Sequence, residues 1–190
     1  CRAIYKQHTP TTSDDFVRYL KRHKFNILLC QETHIPLDTF EQTSNLMHRK
    51  FLCHESIWTQ YCAIINFNSS ISMTKVHESL DGRLILAKFT LVDNSIPSFY
   101  MLNLYAPAEH NHISKTTFFN NMITMIQSFP DFESIVSSLI VAGDFNYSFD
   151  NSSEHFTVTH PCVDLLHFVQ QHFTDCFNPP GESFYDLTFK

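Results

Sequence analysis

An α/β sandwich, with mixed sheets covered by helices, is the fold class that this sequence predicts. Three observations carry it. Short apolar runs of strand length alternate irregularly with helical periodicity, turn signals of the hairpin type sit among the strands, and the composition is globular. With 190 residues, 43% of them hydrophobic and 14% aromatic, the chain suffices for one domain that buries roughly 70% of its unfolded surface. No repeat, linker or low-complexity tract breaks it, so a single domain over residues 1–190 is expected.

In chain order, Ser13 reads as the N-cap of a helix, with Asp14 and Asp15 in its first turn and Phe16, Val17 and Leu20 on one face. Phe25 to Cys30 is an apolar run too short for a helix, and this strand delivers Gln31 and Glu32 at its carboxyl end. Asp38 to Lys50 is a second helix. Tyr61 to Phe67 and Arg83 to Val92 are strands rich in aromatic and branched residues, and Asp81-Gly82 is a turn between antiparallel neighbours. Ser98 to Leu104 is a strand stopped by Ala106-Pro107, and Ser114 to Phe129 is a helix with Phe118, Phe119, Met122, Ile123 and Ile126 inward. Ser138 to Ala142 is a strand that ends in Gly143-Asp144. The helix Cys162 to His172 turns Val163, Leu166 and Phe168 to a core, Asn178-Pro179-Pro180-Gly181 is a turn, and Ser183 to Phe189 is strand-like.

The formal net charge of −6 runs against a protein that holds nucleic acid by a broad basic face. A metal-dependent nuclease must, however, place acidic residues around its cation, and twelve histidines add positive charge as pH falls. Six scattered cysteines without a CxxC pair predict reduced, mostly buried thiols, not a zinc ribbon or disulfide framework. No secretory leader pattern opens the chain, and no run reaches the ~18 apolar residues of a membrane span. No membrane partner is expected, and an intracellular setting, the nucleus included, is.

Three of the strands end in polar groups, and in layered α/β folds ligands bind where strand ends open into loops. Phosphodiester hydrolysis needs an activated nucleophile, neutralised phosphate charge and a supported leaving oxygen. Glu32 at a strand end can anchor Mg²⁺, a hard ion that keeps several waters and takes one or two carboxylates. Asp144 follows Gly143, which permits close backbone approach, and Asn146 lies two residues on; the pair can align a water and donate an amide to a phosphate. Tyr105, leaving its phenol at the rim, can donate a hydrogen bond to a phosphate or leaving oxygen. Each has a plainer reading: a solvated cap for Glu32, an Asp-Phe-Asn turn held by side-chain-to-backbone bonds, and a half-buried tyrosine satisfied by backbone.

Together, Cys30-Gln31-Glu32-Thr33-His34, Leu102-Asn103-Leu104-Tyr105-Ala106-Pro107 and Ala142-Gly143-Asp144-Phe145-Asn146 resemble the endonuclease/exonuclease/phosphatase superfamily. Their wording is closest to the apurinic-like endonucleases of non-LTR retrotransposons, and Gly82-Arg83 at a strand start resembles a recurrent feature of those domains. The resemblance implies a four-layered, DNase I-like α/β sandwich: two mixed sheets face to face, helices outside. It implies that Glu32 binds Mg²⁺, with Mn²⁺ as the alternative, that Asp144 and Asn146 position water and phosphate, and that Tyr105 contacts the phosphate. Gln31, Asn103 and His34 are then phosphate or substrate contacts. DNA is the implied partner, for a monomer or a segment of a larger retroelement polyprotein.

Two motifs usual in that superfamily, an opening strand bearing an asparagine and a closing Asp-His pair, are missing; Asp175 and Asp186 are the late aspartates. The expectation is a truncated copy with weak or lost hydrolysis. The alternatives are a non-catalytic binding or relic domain, or a phosphatase, sphingomyelinase or deadenylase on the same scaffold. His110-Asn111-His112 reads as a solvated loop, and Trp58 as a core residue.

Overall fold

The structure, a computed structural model, describes residues 10–108, 112–147 and 162–174. The turn at residues 178–181, the strand at 183–189, Asp175, Asp186 and most of His110-Asn111-His112 lie outside the described residues. The chain divides into two compact units, one of residues 1–108 with 133–147, the other of residues 109–132 with 148–190.

The first unit opens with α1 (Pro10–His23), β1 (Ile27–Gln31), a 3-10 turn (Leu37–Thr39) and α2 (Phe40–Phe51). Strands β2 (Glu55–Trp58), β3 (Cys62–Asn66), β4 (Ile71–Glu78), β5 (Leu84–Leu91) and β6 (Phe99–Tyr105) follow, and β7 (Leu139–Asp144) completes the unit. Sheet A has the order β1-β3-β2 and is wholly antiparallel; sheet B has the order β4-β5-β6-β7, antiparallel except for the parallel β6–β7 pair. Every residue of β3 is buried, as a central strand covered on both faces requires. Its period of two sorts the faces. Ala63 and Ile65 pack with Val17 and Leu20 of α1 and Met47 and Phe51 of α2, whereas Cys62 and Ile64 pack with Met73, Ile85, Ala87 and Phe89 of sheet B. Sheet A is thus sandwiched between its two helices and sheet B.

Several boundaries differ from expectation. Helix α1 starts at Pro10, which suits a first helical position, so Asp14 and Asp15 fall beyond the first turn and Ser13 is not the cap. Two strands, β2 and β4, went unforeseen. β2 is only four residues long, and β4 alternates exposed polar side chains along a sheet edge with a bulge between Lys75 and His77. The Asp81-Gly82 turn joins β4 to β5, not β3 to β5.

In the second unit, α3 (His112–Gln127) buries Phe118, Phe119, Met122, Ile123 and Ile126 and packs on α5 (Val163–His172). Helix α5 turns Leu165 and Phe168 inward; of the residues expected on that face Phe168 is buried, whereas Val163 is 51% exposed and Leu166 only half-buried. Between β6 and β7 runs one more short helix, α4 (Phe132–Val136). Among the described residues no helix is long and apolar enough to cross a membrane. Cys30, Cys62 and Cys162 are buried free thiols, Cys53 is half-buried, and Trp58 is core.

Candidate active site

Sheet A brings β1 to its end at Gln31, and the chain then turns sharply. Glu32 at φ 57° and His34 at φ 50° both lie in the left-handed region, which L-residues enter at a cost and which clusters at functional sites. The segment is pinned from beside. Thr33 N–H donates to Tyr61 O (3.2 Å), Thr33 Oγ1–H to Gln60 O (2.9 Å), and Ile35 N–H to Gln60 O (2.9 Å). These bonds hold Glu32 half-buried and leave His34 exposed, its ring edge-on to Tyr61 at 5.5 Å.

Sheet B supplies the other side. Tyr105 and Asp144 are direct partners in the parallel β6–β7 register, and Ala106 N–H donates to Asp144 O (2.8 Å), so the two strands end together. Gly143 has φ +146°, and a Cβ there would run into the Leu104 backbone; only glycine allows this approach. Beyond the strand, Asn146 at φ 45° donates its backbone N–H to Asp144 Oδ1 (3.0 Å) and its amide to Ala106 O (2.8 Å). The plainer turn reading of Asp-Phe-Asn therefore describes the local geometry. Asn146 is not extended alongside Asp144 but folded back over the end of β6.

Between the sheets, Tyr105 Oη–H donates to Glu32 Oε1 at 3.2 Å. The residue as a whole is 7% exposed and its hydroxyl hydrogen bond is part-buried, so the phenol is satisfied by a carboxylate and not by backbone. Burial first, then the Glu32 charge and the hydrogen bond to it, push its pKa above the ordinary 10.0; the nearby Asp144 charge adds to this and Arg83 opposes it. Tyr105 thus bonds Glu32 and lies beside Asp144, its partner in strand register.

Arg83 takes part as well. Its guanidinium sits 4.5 Å from the Tyr61 ring centroid and 4.9 Å from that of Tyr105, and Nη1–H donates to Tyr105 O (3.3 Å). Sequence reading gave Arg83 only as part of a strand-start resemblance. Asn103, expected as a phosphate contact, is fully buried: its amide donates to Cys30 O and Ala63 O (2.9 Å each), and its oxygen accepts from Gln31 Nε2 (2.6 Å). A buried amide with its bonds made in this way ties sheet B to sheet A and orients Gln31.

Among the described residues no group of three His, Cys, Asp or Glu side chains gathers to hold a metal. The acidic donors that converge on the Tyr105 phenol are the Glu32 and Asp144 carboxylates. Two hard oxygen donors fit an ion that keeps most of its waters, as Mg²⁺ does, and do not fit a site made of protein ligands alone.

No protein-family model matches the sequence, and comparison with curated proteins finds no match. Comparison with solved structures does. D. rerio TDP2 (tyrosyl-DNA phosphodiesterase 2), complexed with a single-strand DNA product, superposes with a TM-score of 0.50 at 14% identity over 77% of this chain and 59% of that one. A truncated C. elegans TDP2 gives 0.48 at 14% identity, over 75% of this chain and 58% of that one. This chain therefore spans about three fifths of the length of the TDP2 structures it resembles. TDP2 belongs to the endonuclease/exonuclease/phosphatase superfamily, and the two face-to-face sheets, with α1 and α2 covering sheet A, are similar by fold to its DNase I-like architecture.

Proposed function

We propose that this chain is a DNA-directed phosphodiesterase of the endonuclease type found in non-LTR retrotransposons, with its reaction centre where β1, β6 and β7 end. The observation that carries this reading is the meeting of Glu32, Tyr105 and Asp144, from separate strand ends, around one phenol hydrogen bond. The single-strand DNA product in the D. rerio TDP2 structure supports DNA as the substrate class. The retrotransposon subtype rests on the wording of the Gly82-Arg83 and Tyr105-Ala106-Pro107 segments.

In this reading Glu32 would hold Mg²⁺. When bound, the ion supplies charge neutralisation at the phosphate and lowers the pKa of a bound water. Tyr105, kept protonated by its surroundings, swings its O–H from Glu32 to a phosphate or leaving oxygen. Arg83 stiffens the ring from beneath and adds positive charge close to the developing anion. Asp144 Oδ1 is held by the Asn146 N–H, and Oδ2 takes the proton of the attacking water. Gln31, fixed by Asn103, and His34 face the incoming phosphate. A nuclear setting follows from the substrate.

A second reading, the same fold binding DNA without turnover, draws on the amide of Asn146 already being committed to Ala106 O. Nicking of supercoiled plasmid separates the two. Glu32→Ala and Asp144→Ala are each expected to lower the Mg²⁺-dependent rate at least about 100-fold while retaining plasmid binding. No nicking by the unsubstituted chain, with binding intact, would leave the second reading standing.

A further inference from the structure

The opposite end of sheet A carries a feature unrelated to the strand-end site. Residues 18–24 read Arg-Tyr-Leu-Lys-Arg-His-Lys and contain four of the 13 lysines and arginines of a chain whose net charge is −6, with no carboxylate among them. Arg18, Tyr19, Arg22, His23, Lys24 and Phe25 are all exposed. Cations near a helix C-terminus are accounted for by the helix dipole alone. The aromatics are not.

Tyr19 is 53% exposed and Phe25 43% exposed, both well above what a core residue shows. His23 lies between them: its ring centroid is 4.3 Å from that of Tyr19 and 5.9 Å from that of Phe25. Lys24 adopts φ 51°, and this left-handed residue folds the chain so that Phe25 returns to the histidine ring. A three-ring ladder is therefore built on the surface, flanked by cations. The C-terminal turn of α2 is tied to the first half of α1 by the Lys50–Asp14 ion pair (2.9 Å) and the Phe16–Phe51 contact. Among the described residues no carboxylate lies within ion-pair distance of Arg22 or Lys24.

We propose that this end of α1 is a docking surface for single-stranded nucleic acid, whose unpaired bases stack on the Tyr19-His23-Phe25 ladder while Arg22 and Lys24 meet its phosphates. Charge complementarity fixes the sign of the partner. Exposed π-faces select unpaired bases over a duplex, whose bases are already stacked, and over an acidic peptide, which has none. The surface lies at the start of β1, whereas Glu32 follows its end, so the two are separated by the length of a strand, roughly 17 Å. Strand-end chemistry and α1 docking therefore stand or fall separately.

Fluorescence anisotropy with labelled oligo(dT), the matching blunt duplex and poly-glutamate, across a salt series, tests the surface on the full chain. Oligo(dT) is expected to bind tightest. Arg22→Glu with Lys24→Glu should cut affinity at least about tenfold and reduce the salt slope by about 1.4, the share of two phosphates on a single strand. Tyr19→Ala with Phe25→Ala should lose about fivefold or more and leave the slope unchanged. Lys75→Glu with Lys88→Glu, matched in charge, should leave the affinity within about twofold. Absence of oligo(dT) binding, equal binding of duplex or poly-glutamate, or equal losses in the Lys75/Lys88 control would overturn the proposal.

Discussion

At the scale of single residues, the site depends on how one phenol is surrounded. Tyr105 donates to Glu32, rests on Arg83 and adjoins Asp144, so burial and two carboxylates disfavour its anion. Its folded pKa is raised above the unfolded value; the protonated form thus contributes stability that is complete below pH 10 and is lost as pH climbs through the raised value. An absorbance titration of tyrosinate should show a late-ionising phenol that Tyr105→Phe removes, and the same variant should flatten the alkaline fall in urea stability. A Tyr105 that ionises at or below its ordinary value would contradict the geometry. Glu32, Tyr105 and Asp144 were legible in the sequence because each closes an apolar strand with a polar group. Arg83 beneath the phenol and the Gln31–Asn103 bond were not, because partners more than twenty and seventy residues away in sequence leave no local signal.

Elements supply the precision that side chains alone lack. The β6–β7 pair brings Tyr105 level with Asp144 only because Gly143 lets the strands approach where any Cβ would meet the Leu104 backbone. Gly143→Ala is expected to destabilise the protein by about 2–3 kcal/mol and to lower its Tm in calorimetry, since both the steric clash and the left-handed φ oppose it. A Tm unchanged within error would mean that the strand end yields without strain. The central strands announced themselves through runs rich in apolar and branched residues, as Cys62–Asn66 and Leu84–Leu91 are. The edge strands β2 and β4 did not. Short or polar-alternating segments become strands through their partners, and a partner such as β5 is a tertiary fact. The same holds for α5, whose inward residues Leu165 and Phe168 are chosen by what it packs on, not by its own periodicity.

For the whole molecule, the layering of sheets and helices was the most legible level, because alternation of strand-length and helix-length segments constrains fold class strongly. Stability should follow the same layering. Amides of Ile85 to Ala87 and Leu102 to Leu104, in fully buried central strands, are expected to exchange slowest by hydrogen–deuterium exchange, with those of edge strands β2 and β4 faster. Equal protection at the edges would place the cooperative unit elsewhere. The parallel β6–β7 pair has one more effect, which concerns time. The other neighbouring pairs in sheet B are joined by the short connections 79–83 and 92–98, but β7 reaches β6 only after all of residues 106–138 have been made and looped back. Closing so long a loop is slow compared with forming a hairpin. At the roughly 5–20 residues per second of synthesis, Tyr105 leaves the ribosome about 2–8 s before Asp144, and any chemistry at this centre must wait for the last strand of the unit to dock.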